Sequence, residues 1–157
     1  MISAEIYELS DRDPPSPIGG FGLDVLNKLT IQDWVAFFKA GERIAYSHRE
    51  QILEAGETND AIHFLADGEL SVEGTRDGKV TELARLTSGA LFGEMSYLEK
   101  SVASANVYAD GSAEVVKVDR DAMKRLLDQP DGFGERFYHS LAVTLSRRLR
   151  ATNPRVC

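Results

Sequence analysis

Cysteine is almost absent from this sequence: its 157 residues contain one, Cys157, at the very end. A single thiol forms no internal disulfide and builds no cysteine-rich metal site, which is the usage of a reducing compartment. Long apolar runs are missing as well. No stretch approaches the ~18 residues that cross a bilayer, and no basic segment followed by an apolar one opens the chain. Neither a membrane span nor a signal peptide is predicted, and a cytoplasmic location is expected. There are three histidines, His48, His63 and His139, and no His-x-His pair. Positive charge is scarce: 18 basic residues face 25 acidic ones, for a net charge of −7. Arg147, Arg148, Arg150 and Arg155 crowd the end of the chain, where there is no acid, so the rest is more acidic still. Such a body repels a polyphosphate backbone, which argues against a nucleic-acid reader. The terminal arginines suit either a helix C-terminus, whose dipole they offset, or an acidic partner.

The residues that are present describe one domain. The length leaves room for a single core, and 43% hydrophobic against 27% charged residues is the balance of a folded globular chain. Residues 1–22 carry Pro14, Pro15, Pro17, Gly19, Gly20 and Gly22 and read as an extended lead-in to a domain over 23–157. From Leu23 to Ala40 apolar residues recur at helical spacing, with Thr30 and Asp33 placed for a helix start and Gly41 for a stop. From about residue 43 to 118 the rhythm is that of short strands. Three Asp-Gly pairs, at 67–68, 77–78 and 110–111, are each expected to close a hairpin. Asp119 then caps a short helix through Leu127, and Phe133 to about Thr152 reads as a longer one. The class is therefore α+β: a β-roll or jelly-roll barrel of about eight antiparallel strands, with helices before and after it. On the last helix Phe133, Phe137, Leu141, Leu145 and Leu149 fall four apart. The stripe is either a core face or, at Phe137, Leu141, Leu145 and Leu149, the seam of a homodimer.

Between the strand regions stands Leu91-Phe92-Gly93-Glu94-Met95-Ser96-Tyr97-Leu98, followed by Asn106-Val107-Tyr108-Ala109. This resembles the phosphate-binding cassette of the cyclic nucleotide-binding domain, the module of catabolite activator proteins and of the regulatory subunits of cyclic-AMP-dependent kinase. Gly56-Glu57, Ile62-His63-Phe64-Leu65 and Asp67-Gly68-Glu69-Leu70 resemble the strands and turns before the cassette, and the likeness runs from about Leu29 to Thr152. It implies cyclic AMP or cyclic GMP as ligand. A short helix after Phe92 and Gly93 would turn the amides of Met95 and Ser96 to the cyclic phosphate, Glu94 would accept from the ribose 2′-hydroxyl, and Thr152 would meet the base. One feature of the family is missing. Nine residues after Glu94, where the family carries the arginine that pairs with the phosphate, stands Ala103, with Ser104 beside it and Lys100 as the nearest cation.

The reading is a stand-alone regulatory or sensor module, not an enzyme, whose cyclic nucleotide binding is lost or weakened and which acts through another ligand or an effector protein. A working cyclic nucleotide sensor is the first alternative. A metal-dependent enzyme of the cupin type is the second, and the histidine spacing argues against it. No Gly-x-Ser-x-Gly elbow is present, and no DNA-reading domain is expected after Thr152.

Overall fold

The computed structural model describes residues 25–152. Helix α1 (Ile31–Ala40) begins where the sequence places its start: the Thr30 hydroxyl accepts from the Asp33 amide and the Asp33 carboxylate accepts from the Thr30 amide. Trp34 and Phe37, three apart, face inward, and the Gly41 amide closes the end on the Phe38 carbonyl.

Six strands follow: β1 (Glu42–Tyr46), β2 (Gln51–Leu53), β3 (Ala61–Arg76), β4 (Lys79–Thr87), β5 (Leu91–Phe92) and β6 (Asn106–Asp119). All pair antiparallel in the order β1-β6-β3-β4, with β2 also on β6 and β5 on β3. The expected β-roll is present, as a sheet that does not close on itself. The count among the described residues is six because two expected hairpins do not form. Asp77-Gly78 does turn the chain, between paired Arg76 and Lys79, with both residues at positive φ. Asp67-Gly68 and Asp110-Gly111 instead lie within the long strands β3 and β6, opposite one another, where the register shifts. Gly68, at φ +95, lets the backbones close in; a Cβ there would lie 2.3 Å from the Ser112 carbonyl oxygen. The same dipeptide that closes a hairpin therefore bends two paired strands together.

Alternation along β3 and β6 separates two cores. Ile62, Phe64, Val116 and Val118 face the helices, joining Trp34, Phe37, Met123 and Phe137. Leu65, Leu70, Val72, Val107 and Val115 fill the roll with Leu86 and Phe92. The cassette helix α2 (Glu94–Glu99) crosses between β5 and β6. Asp119 caps α3 (Arg120–Leu127) by accepting from the Ala122 amide, and α4 (Phe133–Thr152) returns over the roll. Arg136 of α4 grips the buried Asp33 of α1 through two bonds, Nε to Oδ2 at 2.6 Å and Nη2 to Oδ1 at 2.8 Å.

The stripe of α4 divides along its length. Phe137 and Leu141 are 0% and 2% exposed within the protomer's own core, so they are not available as a dimer seam. Leu145 is half-buried against the same core and Leu149, at 55%, faces outward. Spacing alone gives the face of a helix; the roll and α1 cover only its first half. No helix among the described residues is long and apolar enough to cross a membrane. The lead-in over 1–22 lies outside the described residues.

Candidate functional site

Gly93 is the N-cap of α2, at φ 76, and the site is built around it. A Cβ here would meet Asn59 Nδ2 and His63 Cδ2, both at 2.8 Å, in a backbone conformation that disfavours any side chain. The Asn59 amide group lies within hydrogen-bond distance of the Gly93 carbonyl and Ser96 Oγ, both 2.9 Å, and of the Ala61 carbonyl at 3.0 Å. His63 Nε2 stands 3.0 Å from Asn59 Oδ1, and because that amide oxygen only accepts, Nε2 carries the proton. The His63 ring stacks on Phe92 at 4.9 Å. At the far end of α2, Arg120 Nη2 donates to the Tyr97 carbonyl at 2.7 Å, with its guanidinium over the Tyr97 ring. The short cassette helix is thus held at both ends by side chains from outside it.

Glu94 is 0% exposed. Arg148 of α4, at 4%, donates from Nη1 to Glu94 Oε1 at 3.1 Å and from Nη2 to the Leu91 carbonyl at 3.5 Å. Glu94 Oε2 has no hydrogen-bond partner among the described residues. Burial pushes the Glu94 carboxyl above the usual range, and the Arg148 guanidinium partly offsets that. One carboxylate oxygen is therefore buried without a partner among the described residues, where a proton would spare it an unpaired charge. Arg148, read from sequence as a dipole-compensating charge, is instead the partner of the cassette's acid. Its signal was present in spacing: Ser140, Thr144 and Arg148 recur every fourth residue beside the apolar stripe, and all three are buried.

The other predicted residues take their places around this pair. Ser96 is buried, Met95 half-buried and Ser104 exposed, while Ala103 is 6% exposed. Met95, Ser96, Ser101, Ala103 and Ser104 line a cavity of about 120 Å³ together with Glu99; among the described residues no lysine, arginine or histidine lines it. Lys100, the nearest cation in sequence, is the exposed C-cap of α2. Thr152 ends α4, and its side chain lies outside what the structure describes. The histidines do not gather: His48 Nδ1 accepts from the Gly111 amide at an exposed bend, far from the role a metal ligand would need, and among the described residues no three His, Cys, Asp or Glu side chains are placed to hold a metal ion.

The chain is similar over 98% of its length, at 36% identity, to a segment of "Glutaminase 1" from Bradyrhizobium diazoefficiens, which it covers by 23%. It is 31% identical over 69% of its length to the "Cyclic AMP receptor protein" of Thermus thermophilus, covering 49% of that protein. The chain thus spans less than a quarter of the first relative and about half of the second. Among solved structures, the catabolite activator protein of Thermus thermophilus superposes with a TM-score of 0.73 at 26% identity, over 85% of this chain and 61% of that one. The profile of the cyclic nucleotide-binding domain matches residues 43–130, from β1 through the cassette and α3. With the roll, the Gly93-Glu94 cassette and this match in agreement, the chain belongs to the cyclic nucleotide-binding domain family.

Proposed function

We propose that this chain is a regulatory module whose cassette keeps the acceptor for a ligand hydroxyl and has lost the cation for a phosphate. The observation that carries the reading is Ala103: a buried methyl where the resemblance calls for a guanidinium, beside a cavity that no basic side chain among the described residues lines. A charge-assisted pair to a buried phosphate contributes on the order of 2 to 5 kcal/mol, so its loss weakens binding about thirtyfold to several thousandfold. Cyclic AMP and cyclic GMP are then poor ligands, and the module acts through another ligand or through a protein. Similarity to a segment of a protein named as a glutaminase supports a catalytic domain as that partner, in the same chain or a separate one. Calorimetric titration with both cyclic nucleotides tests this: no saturable binding in the micromolar range is expected, and a micromolar dissociation constant contradicts it in favour of a working sensor.

A homodimer through the exposed side of α4 belongs to the same proposal, now confined to Leu149 and the half-exposed Tyr138. Leu149→Gln is expected to change stability by no more than about 0.5 kcal/mol, as for other exposed positions, and to turn a dimer into a monomer in sedimentation. A dimer that survives the substitution, or a monomer in both proteins, contradicts the seam.

A further inference from the structure

Glu94, the acceptor assigned above to a ligand hydroxyl, is 0% exposed and out of reach of any ligand as the chain stands. Something must move before a ligand meets it. The cassette helix is pinned at both ends, by Asn59 on Gly93 and Ser96 and by Arg120 on Tyr97. Strand β5 before it is buried and paired with β3. The side chain that meets the carboxylate comes from α4, where Arg148 donates to Oε1 at 3.1 Å and also reaches the Leu91 carbonyl.

The two halves of α4 are held very differently. The first carries Phe133, Phe137 and Leu141, each no more than 2% exposed, with Arg136 bonded twice to the buried Asp33 and Ser140 Oγ accepting from the Lys28 amide. Beyond Leu141 the apolar anchor is Leu145, which is only half-buried, and Leu149 faces outward. Thr144 Oγ1 is buried with no hydrogen-bond partner among the described residues. The last carbonyls of a helix lack intrahelical partners, so this end opens first. The Arg148–Glu94 pair is therefore a principal tie of a weakly seated half-helix. Lifting that half off the roll takes Arg148 away and opens Glu94 to water, so neither charge is left buried and alone, as it is when one partner is removed by substitution.

We propose that the second half of α4, residues 145–152, is an autoinhibitory cover on the cassette: Arg148 occupies the acceptor that a ligand hydroxyl uses, and ligand and helix compete for Glu94. The proposal rests on the reading of Glu94 as a hydroxyl acceptor. Its direction is specific. A ligand that takes Glu94 releases the half-helix and does not draw it in. With the open form at about 1 to 10% of molecules, a common range for a minor conformer, the cover lowers apparent affinity by the reciprocal of that fraction, about tenfold to a hundredfold.

The test uses adenosine, which offers a ribose 2′-hydroxyl and no phosphate, beside 2′-deoxyadenosine, with dissociation constants from resonance shifts. Two variants open the cover by different routes. Arg148→Met removes the guanidinium, and Ser146→Pro, at an exposed position, interrupts α4 beyond its anchored half without altering either member of the pair. Unchanged spectra of the roll verify the fold of each. Both variants should bind adenosine about tenfold to a hundredfold more tightly than the unaltered chain, with no gain for 2′-deoxyadenosine. Saturating adenosine should also speed amide exchange over residues 145–150 of the unaltered chain and not over 133–141. A preference for adenosine that is the same in all three proteins, or slower exchange over 145–150, overturns the cover and leaves Glu94 as an acceptor. No preference for adenosine in any of the three overturns the acceptor reading, and the cover with it.

Discussion

Replacing Ala103 by arginine is expected to raise the affinity for cyclic AMP or cyclic GMP by about thirtyfold to several thousandfold. Gly93 is held at the head of the cassette helix by Asn59, and Glu94 Oε2, though buried, has no hydrogen-bond partner among the described residues. What is missing is a planar cation able to hold two phosphate oxygens at once. Geometry matters as well as charge: Ala103→Lys should recover only part of the gain, since an ammonium cannot make the paired contact, and Ala103→Met should recover none. The ranking Arg above Lys above Met, read by calorimetry at one ionic strength, is the expected result. A folded Ala103→Arg chain with unchanged affinity would mean that the phosphate site is lost for a reason other than its cation.

The second large effect concerns the pair beneath the cassette. Arg148→Met keeps an apolar stem and removes the guanidinium, leaving a fully buried carboxyl without its partner. Breaking a buried pair in this way costs about 3 to 5 kcal/mol at neutral pH, or about 6 to 20 °C in melting temperature for a chain of this size. The pH dependence has a definite sign. The folded-state pKa of Glu94 is already raised by burial, and losing Arg148 raises it further. A carboxyl of raised pKa contributes stability that is fully present below its unfolded value of about 4.5 and is lost as pH rises through the folded value. The deficit of Arg148→Met should therefore be largest at neutral pH and shrink as pH falls, because a protonated Glu94 needs no counter-charge. Adding Glu94→Gln to Arg148→Met should restore part of the loss and flatten the curve. Urea unfolding at several pH values checks this, and a deficit independent of pH would show that Arg148 acts through packing alone.

Much of the architecture was legible where physical signals are local. Thr30 with Asp33, and Asp119, fix helix starts because capping is settled within three residues, and the four-residue spacing from Phe133 to Leu149 fixed a helix and its face. The cassette was legible as a resemblance, since its glycine, acid and apolar residues are contiguous. Signals that depend on what stands opposite were not. Asp67-Gly68 suits a hairpin as well as a bend in a long strand, and the choice falls to the close approach of Ser112 and Ala113, more than forty positions away. Arg148 looked like one of several terminal charges until the fold carried it across 54 positions to Glu94. Asn59 gave no local sign of its role, because the carbonyl it binds at Gly93 is 34 residues distant. Glu94 stands in the cassette as the resemblance places it, and its partner in the structure is the Arg148 side chain.

The claim at the centre is that the hydroxyl acceptor survives while phosphate recognition does not, and comparing adenosine with cyclic AMP on the unaltered chain tests it most directly. Dissociation constants for both, from resonance shifts at the same pH and ionic strength, isolate what the phosphate adds. Less than about tenfold, under 1.4 kcal/mol, is predicted for a cassette with Ala103 in place of its cation. Cyclic AMP binding a hundredfold or more tighter than adenosine would show that the phosphate is held after all, and would contradict the account.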